Sequence, residues 1–250
     1  MNFQHRKRLI LDLIEQQESV EVRDLANHVQ TSEMTIRRDL TQLAAEGLLY
    51  RTRGGAMRVD LATQPFRFEH KAASRAEQKD HICQLAAQEI QEGDTVFLDC
   101  GSTVFRICPY IRHKRIRVIT NSLPILAELM NSSVQLNLVG GEVDQQRQAV
   151  HGFMAEQHLR QYRADRAFIG VDGISVANGL SANSEKEAST ALNMAQQAKH
   201  VYLLCDSSKF DNDKYVHFAP LTLAHTLITD KDASGELVNR YKSAGIQVMQ

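Results

Sequence analysis

Thr31-Ser32-Glu33-Met34-Thr35-Ile36-Arg37-Arg38-Asp39-Leu40 is the stretch on which the reading of the chain turns. Ser32 is a good N-cap, because its side-chain oxygen can accept from an orphan N–H of the first helical turn. Ile36, Leu40 and Leu43 recur at spacings of four and three, one apolar stripe that holds a helix down. Ser32, Glu33, Met34, Thr35, Arg37 and Arg38 fall early in that helix, where a groove-reading helix meets base edges and phosphates. Taken alone, the stretch fits an ordinary amphipathic surface helix with two solvated arginines better. Its flanks reverse the balance.

Upstream, Leu9, Ile10, Leu13 and Ile14 predict an amphipathic helix over residues 3 to 17. Ser19-Val20-Glu21-Val22 links it to a second helix, about Arg23 to His28, with Leu25 and Ala26 inward. Val29-Gln30-Thr31 is a tight turn, so the second and third helices form a helix-turn-helix. Gly47 is placed to end the third helix. Downstream, residues 48 to 58 read as a β-hairpin wing turning at Gly54-Gly55. Its Arg51, Arg53 and Arg58 have no acid among them. Residues 1 to 58 as a whole hold nine basic and eight acidic side chains, so the arginines matter by position. Guanidinium groups on a wing suit phosphate or minor-groove contact; the plainer reading is a hairpin kept soluble by its arginines. Arg37 and Arg38 on one element and Arg51 and Arg53 on the next favour double-stranded DNA as the partner.

The 250 residues carry 29 basic and 30 acidic side chains, so DNA binding must come from local placement rather than net charge. Cys83, Cys100, Cys108 and Cys205 form no C-x-x-C pair, which suits a reducing compartment. The ten histidines are scattered, and no metal site is expected. The first residues lack a signal-peptide apolar core, and no run approaches the roughly 20 apolar residues of a membrane span. A soluble, cytoplasmic protein is expected.

Residues 59 to 73 read as a linker, with Pro65 breaking periodicity. Phe66, Phe68, His70 and Lys71 form a candidate docking segment against the second domain. A helix is expected from an N-cap at Ser74 to a stop at Gly93. Residues 74 to 250 then alternate short apolar runs with helical stretches. The runs lie near 95–98, 117–119, 136–139, 167–169, 201–204 and 226–228. The helices lie near 103–112, 123–131, 153–163, 184–198 and 234–244. This alternation predicts an α/β domain with a mainly parallel sheet covered by helices.

Polar or glycine-rich clusters follow five of the runs. They contain Asp99, Gly101, Ser102 and Thr103; Thr120, Asn121 and Ser122; Gly140 and Gly141; Asp172 and Gly173; and Asp206 and Lys209. Strand C-termini of a parallel sheet share one edge, so these clusters converge on one crevice. Gly101-Ser102-Thr103 opens a helix whose amides can approach an anion, and Thr120-Asn121-Ser122 repeats the idea. Lys209 adds a point charge, and Asp99, Asp172 and Asp206 can accept from sugar hydroxyls. Each cluster also has a bland reading, as a helix cap or a turn. Together they favour a phosphorylated sugar or polyol as ligand. The same carboxylates and lysine could move protons in a sugar-phosphate isomerase-like enzyme. Such an enzyme has no need of residues 1 to 58, and a regulator without catalytic residues or cofactor is expected.

With both parts read, the chain resembles the DeoR family of bacterial transcription regulators over essentially its full length. The resemblance rests on residues 32 to 40, Glu46-Gly47 and Arg53-Gly54-Gly55-Ala56. In the second part it rests on Asp99-Cys100-Gly101-Ser102-Thr103, Thr120-Asn121-Ser122, Gly140-Gly141, residues 168 to 174 and residues 206 to 210. It implies a winged helix-turn-helix joined to a sensor similar to ribose-5-phosphate isomerase. Family members usually repress sugar-utilisation operons, respond to a sugar phosphate, and form homodimers or homotetramers. It also implies an effector-facing glutamate at Glu187. Many members place a lysine four or five residues further on; here those positions are Ala191 and Leu192, while Lys186 precedes the glutamate. Contacts on that helix are therefore expected to differ.

Overall fold

The computed structural model describes residues 3–17, 19–46, 48–51, 54–57, 68, 71 and 74–250. Two compact units result, Met1–Arg67 and Phe68–Gln250. Of the expected linker, only Phe68 and Lys71 are described, and both belong to the second unit.

The first unit is built on α1 (Phe3–Gln17), α2 (Val22–Val29) and α3 (Glu33–Ala45). Ile10, Leu13, Ile14, Leu25, Ile36, Leu40 and Leu43 close one apolar core between them. Gln30 turns the chain out of α2 in the left-handed region, with φ at 52°. Ser32 then caps α3 by accepting from the Thr35 N–H at 3.2 Å. A buried carboxylate fixes α3 on α1: Arg6 donates from Nε and Nη2 to the two oxygens of Asp39, at 2.6 and 3.0 Å.

The run Ser19–Glu21, expected as a simple connector, is a strand (β1). It joins β2 (Tyr50–Arg51) and β3 (Gly55–Met57) in a sheet of order β1-β3-β2. Gly55 lies within the central strand rather than in the hairpin turn. A Cβ there would fall 2.0 Å from the Val20 carbonyl oxygen, so the close approach of β1 requires glycine. Gly47, Arg53 and Arg58 fall outside the described residues.

The second unit carries a seven-stranded parallel sheet. Its strands are β4 (Thr95–Leu98), β5 (Arg117–Thr120), β6 (Gln135–Leu138), β9 (Ala164–Gly170), β12 (Ala198–Leu204), β14 (Thr226–Ile228) and β15 (Gln247–Met249). Two short strands, β7 (Glu142–Asp144) and β8 (Ala149–His151), form a hairpin. Three more, β10 (Gly173–Ser175), β11 (Gly179–Ala182) and β13 (Val216–Ala219), form an antiparallel sheet. Neither was expected from the periodicity, and nor was β15.

Alternate residues of each parallel strand feed two apolar layers, as the two-residue period of a strand requires. Val96, Leu98, Val118, Phe168, Tyr202 and Leu204 meet α4 (Ala76–Gln88), α5 (Ser102–Phe105), α6 (Cys108–Ile111) and α7 (Leu123–Leu129). Phe97, Ile119, Ala167, Ile169, Val201 and Leu203 meet α8 (Phe153–Arg160), α9 (Glu185–Gln196) and α10 (Gly235–Ser243). Two helices differ from expectation. The stretch 103–112 divides into α5 and α6, because Pro109 sits in the first turn of a new helix and lacks the N–H an uninterrupted helix would use. Helix α4 is capped by Arg75 rather than Ser74, with φ at 53° and no side-chain cap bond.

The strand order is β15-β14-β12-β9-β4-β5-β6. From β4 the chain builds outward through β5 and β6, then returns to β4's other side with β9. The reversal makes the carboxyl ends of β4 and β9 a topological switch point, where open α/β sheets bind ligands. No helix among the described residues is long and apolar enough to cross a membrane.

Candidate functional site

Two separate places carry the predicted residues. The first is the outer face of α3. Ile36, Leu40 and Leu43 are fully buried, whereas Met34 is 81% exposed and Arg37, Arg38 and Thr41 are also exposed. Positions 34, 37, 38 and 41 share one face of a 3.6-residue helix. Arg37 reaches back to Glu33 at 3.4 Å. The Arg38 guanidinium has no partner among the described residues. Arg51, from β2, donates to Thr41 Oγ1 at 2.9 Å, while Thr41 donates to the Arg37 carbonyl at 2.7 Å. That threonine joins the wing to α3 and was not singled out from sequence. Ser32 and Thr35 share a hydroxyl contact at 2.9 Å, so Ser32 serves the cap.

The second place is the switch-point crevice. Asp99 follows β4 and is 6% exposed; its Oδ2 accepts from the Gly170 N–H at 3.1 Å. Burial raises its carboxyl above the usual range, against the pull of those backbone amides, and Asp172 adds to the rise. Asp172, after β9, accepts from Lys71 Nζ at 3.0 Å and from the Asn183 N–H at 3.1 Å. Burial works against its ionisation, but the Lys71 ammonium, the Asn183 N–H and the charge of Arg147 together outweigh it and hold the carboxyl below the usual range. Glu187, on the first turn of α9, pairs with Arg147. Burial pushes Glu187 up to about 7, with Asp172 and Asp99 pressing the same way against Arg147 and Lys71. Cys100 lies among these groups, its thiol raised by burial and by the charges of Asp99 and Glu187.

Further cations gather about Ser102 and Asp206. Lys79, on α4, is 5% exposed, donates to the Lys71 carbonyl, and lies 3.4 Å from Ser102 Oγ. Burial lowers it to about 8; Asp206 supports its charge, while Lys209, Arg106 and Lys71 oppose it. Arg75 explains its own unusual backbone. Its side chain leaves the helix start to reach Asp206 at 3.2 Å, Asp232 at 3.1 Å and Ser207 Oγ at 2.7 Å. Asp206 also caps its own turn, accepting from Ser208 N and Oγ at 3.1 and 2.5 Å.

The other predicted residues divide. Thr103 is buried beside α4, its carbonyl accepting from the Cys83 thiol. Thr120 donates to the Leu98 carbonyl at 2.7 Å, and Ser122 caps α7, so both hydroxyls hold the loop. Asn121 donates to the Val150 carbonyl at 3.1 Å, and its buried Oδ1 has no hydrogen-bond partner among the described residues. Gly173 is required by the close passage of Asn212, whose carbonyl oxygen would lie 1.8 Å from a Cβ. Gly140 and Gly141 line a different hollow, of about 670 Å³, with His151, Phe153, Met154 and His158. None of the crevice carboxylates or lysines borders it. Ala191 lies in the apolar layer and Leu192 packs against it, so both positions face the core.

Sequence reasoning missed Lys71 as an Asp172 partner, and missed Arg75, Lys79 and Arg147 altogether. Arg75 and Lys79 sit on a helix start read only for its apolar stripe.

Residues 6–61 match the model of the DeoR-like helix-turn-helix domain, and residues 74–231 match that of the DeoR C-terminal sensor domain. The chain belongs to the DeoR family. A putative aga operon transcriptional repressor of Escherichia coli O157:H7 is 32% identical over 248 residues, 98% of this chain and 92% of that one. A lactose phosphotransferase system repressor of Lactococcus lactis subsp. lactis is 32% identical over 247 residues, 96% of each. Among solved structures, ribose 5-phosphate isomerase A of Methanocaldococcus jannaschii is similar at 17% identity, with a TM-score of 0.41 over 55% of each chain. In DeoR-family terms, the α3 face belongs to the helix-turn-helix part and the crevice to the sensor part.

Proposed function

We propose that this DeoR-family protein is a cytoplasmic repressor of a carbohydrate-utilisation operon, released from its operator by a phosphorylated sugar or polyol. The observation that carries the DNA reading is the two-faced α3. One side is locked into the core by Ile36, Leu40, Leu43 and the Arg6–Asp39 pair. The other presents Met34, Arg37, Arg38 and Thr41, flanked by Arg51. Arg38 and Arg37 would reach base edges or phosphates in the major groove, with Arg51 on the backbone. A symmetric homodimer or homotetramer would place two such helices on paired half-sites spaced by helical turns of DNA.

The switch-point crevice supports the effector reading. Lys79, Lys209 and the Ser102 hydroxyl suit an anionic group, and Asp99, Asp172 and Glu187 suit hydroxyls. Names of relatives that refer to a lactose phosphotransferase system and an aga operon agree with a carbohydrate role. Release requires that the effector bind one arrangement of the protein better than the other. The crevice is read as a sensor rather than a catalyst, so pentose and hexose phosphates incubated with the protein are expected to remain unconverted.

The test is operator binding to the protein's own promoter fragment against random duplex, with and without a panel of phosphorylated sugars and polyols. Preference for the promoter, weakened by one class of phosphate ester, is expected. Equal affinity for promoter and random duplex under all conditions refutes the proposal.

A further inference from the structure

The hairpin β7–β8 brings to the crevice a side chain that no strand-end loop supplies. Asp144 shapes its tip by accepting the N–H groups of Gln146 and Arg147, both at 3.0 Å. Gln148 then takes the left-handed region, φ 51°, a conformation rare for a residue with a side chain. Its carbonyl accepts from the Leu123 N–H at 2.9 Å. One residue on, Ala149 bridges to Ser122, and Val150 exchanges hydrogen bonds with Asn121 at 2.8 and 3.1 Å. The hairpin is thus bolted to the loop that leaves β5. That frame sends Arg147 back over the sheet edge to Glu187, where the two side chains are only 17% and 16% exposed.

The position of Arg147 matters more than the pair itself. Its charge acts on Asp172, Cys100 and Glu187, the groups of the carboxylate side of the crevice. Lys79 instead answers to Asp206, Lys209, Arg106 and Lys71. The crevice therefore has two ends with different chemistry. One is rich in ammonium groups and bears the Ser102 hydroxyl. The other sets the Arg147 guanidinium on Glu187 and within reach of the charge of Asp172, which Lys71 also contacts at 3.0 Å. A buried ion pair adds little net stability, and a non-glycine residue held in the left-handed region costs some. An arrangement retained against both costs suits recognition better than stability. A guanidinium donates in a fixed plane, and a neighbouring carboxylate accepts; together they match adjacent hydroxyl and carbonyl oxygens of a sugar chain.

We propose that Arg147, with Glu187 as its partner, determines which sugar phosphate the crevice accepts, by reading the oxygens of the carbon chain away from the phosphate. This rests on the reading of the crevice as a sugar-phosphate site.

The test compares the full-length protein with Arg147→Lys, Arg147→Ala and the double variant Arg147→Ala/Glu187→Gln. The double variant removes both charges, so no buried carboxylate is left unpaired if Arg147→Ala alone fails to fold. Thermal shift and calorimetric titration use inorganic phosphate, glycerol 3-phosphate, ribose 5-phosphate and fructose 6-phosphate. A charged hydrogen-bond donor lost from the complex corresponds to about a tenfold loss of affinity or more. The wild type is expected to bind at least one sugar phosphate. Arg147→Lys and the double variant should lose about tenfold for that ligand, or change the ranking of ligands, while inorganic phosphate changes much less. Unaltered affinities and ranking in both folded variants overturn the role of Arg147 alone. A wild type indifferent to every sugar phosphate overturns the reading of the crevice, and the role of Arg147 with it.

Discussion

Replacing Arg38 by alanine tests the DNA-facing surface most directly, because the structure separates its binding role from any folding role. The side chain is exposed on α3 and has no partner among the described residues. Its removal should alter stability by no more than about 0.5 kcal/mol, the usual range for such surface changes. Binding is different. A guanidinium contact to a guanine edge or a phosphate is worth about 1–3 kcal/mol. Two copies in a symmetric dimer make about 2–6 kcal/mol, and each 1.4 kcal/mol is tenfold in affinity. A loss of at least about 30-fold on the operator is expected. Arg37→Ala should cost less, since that guanidinium is already engaged with Glu33 at 3.4 Å. Fluorescence anisotropy on the promoter fragment, repeated across salt concentrations, also identifies the contact. If Arg38 meets a phosphate, random duplex weakens as well and the salt slope falls by about one per protomer. If it meets a base, the slope stays and discrimination relaxes at one position of each half-site. A variant with native circular dichroism and operator affinity within about twofold of wild type would refute the groove assignment.

Other expectations concern the crevice. Gly101→Ala should fold normally, since a Cβ there meets its nearest atoms at 3.6–3.7 Å and the backbone φ is −62°. The added methyl stands beside Asp99, so sugar-phosphate affinity should fall about tenfold while the melting temperature holds; unchanged affinity would place the ligand elsewhere. Glu187 sits at about 7, above its ordinary 4.5, so its neutral form is favoured by folding. Wild-type stability should therefore decline as pH rises from about 4.5 to 7, and Glu187→Gln should gain on wild type between pH 5 and 8 in urea melts; a constant difference would contradict the assignment. Lys71→Met acts with the opposite sign. Asp172 is held below its ordinary value, so the pair stabilises above the unfolded carboxylate pKa and that stability is lost as pH falls through the folded one. The deficit of the variant should be on the order of 1–2 kcal/mol at pH 7, given partial exposure of Lys71, and should shrink below about pH 4. A deficit independent of pH would point to some other role for Lys71.

What could be read in the sequence depends on the range of the interactions involved. The strand runs were legible because the inner strands β4, β9 and β12, covered on both faces, carry short apolar runs, and five of the six runs lead into glycine or a polar cluster where the chain leaves the sheet. The α3 stripe was legible because helix spacing is local. The hairpins and β1 were not. Ser19–Glu21 becomes a strand only because Gly55–Met57 arrives beside it, and the strands β10, β11 and β13 are three or four residues long with partners as far as Leu180 is from Ala219.

The same limit governs the crevice. Three of its acids sit at strand ends, and topology alone brings Asp99, Asp172 and Asp206 to one edge. Its cations do not. Lys79 lies just before Ile82 in an ordinary-looking amphipathic helix start, yet it is buried against Ser102 and the Lys71 carbonyl. Arg75 abandons the helix cap for Asp206, 131 positions later, and Arg147 crosses from a hairpin to a helix 40 positions on. A lysine or arginine has a long flexible stem, so its place in the sequence says little about where its charge comes to rest. The class of ligand was legible from the strand-end clusters and Lys209, but the full balance of sign in this site emerges only when the fold has brought Lys71, Arg75, Lys79 and Arg147 in.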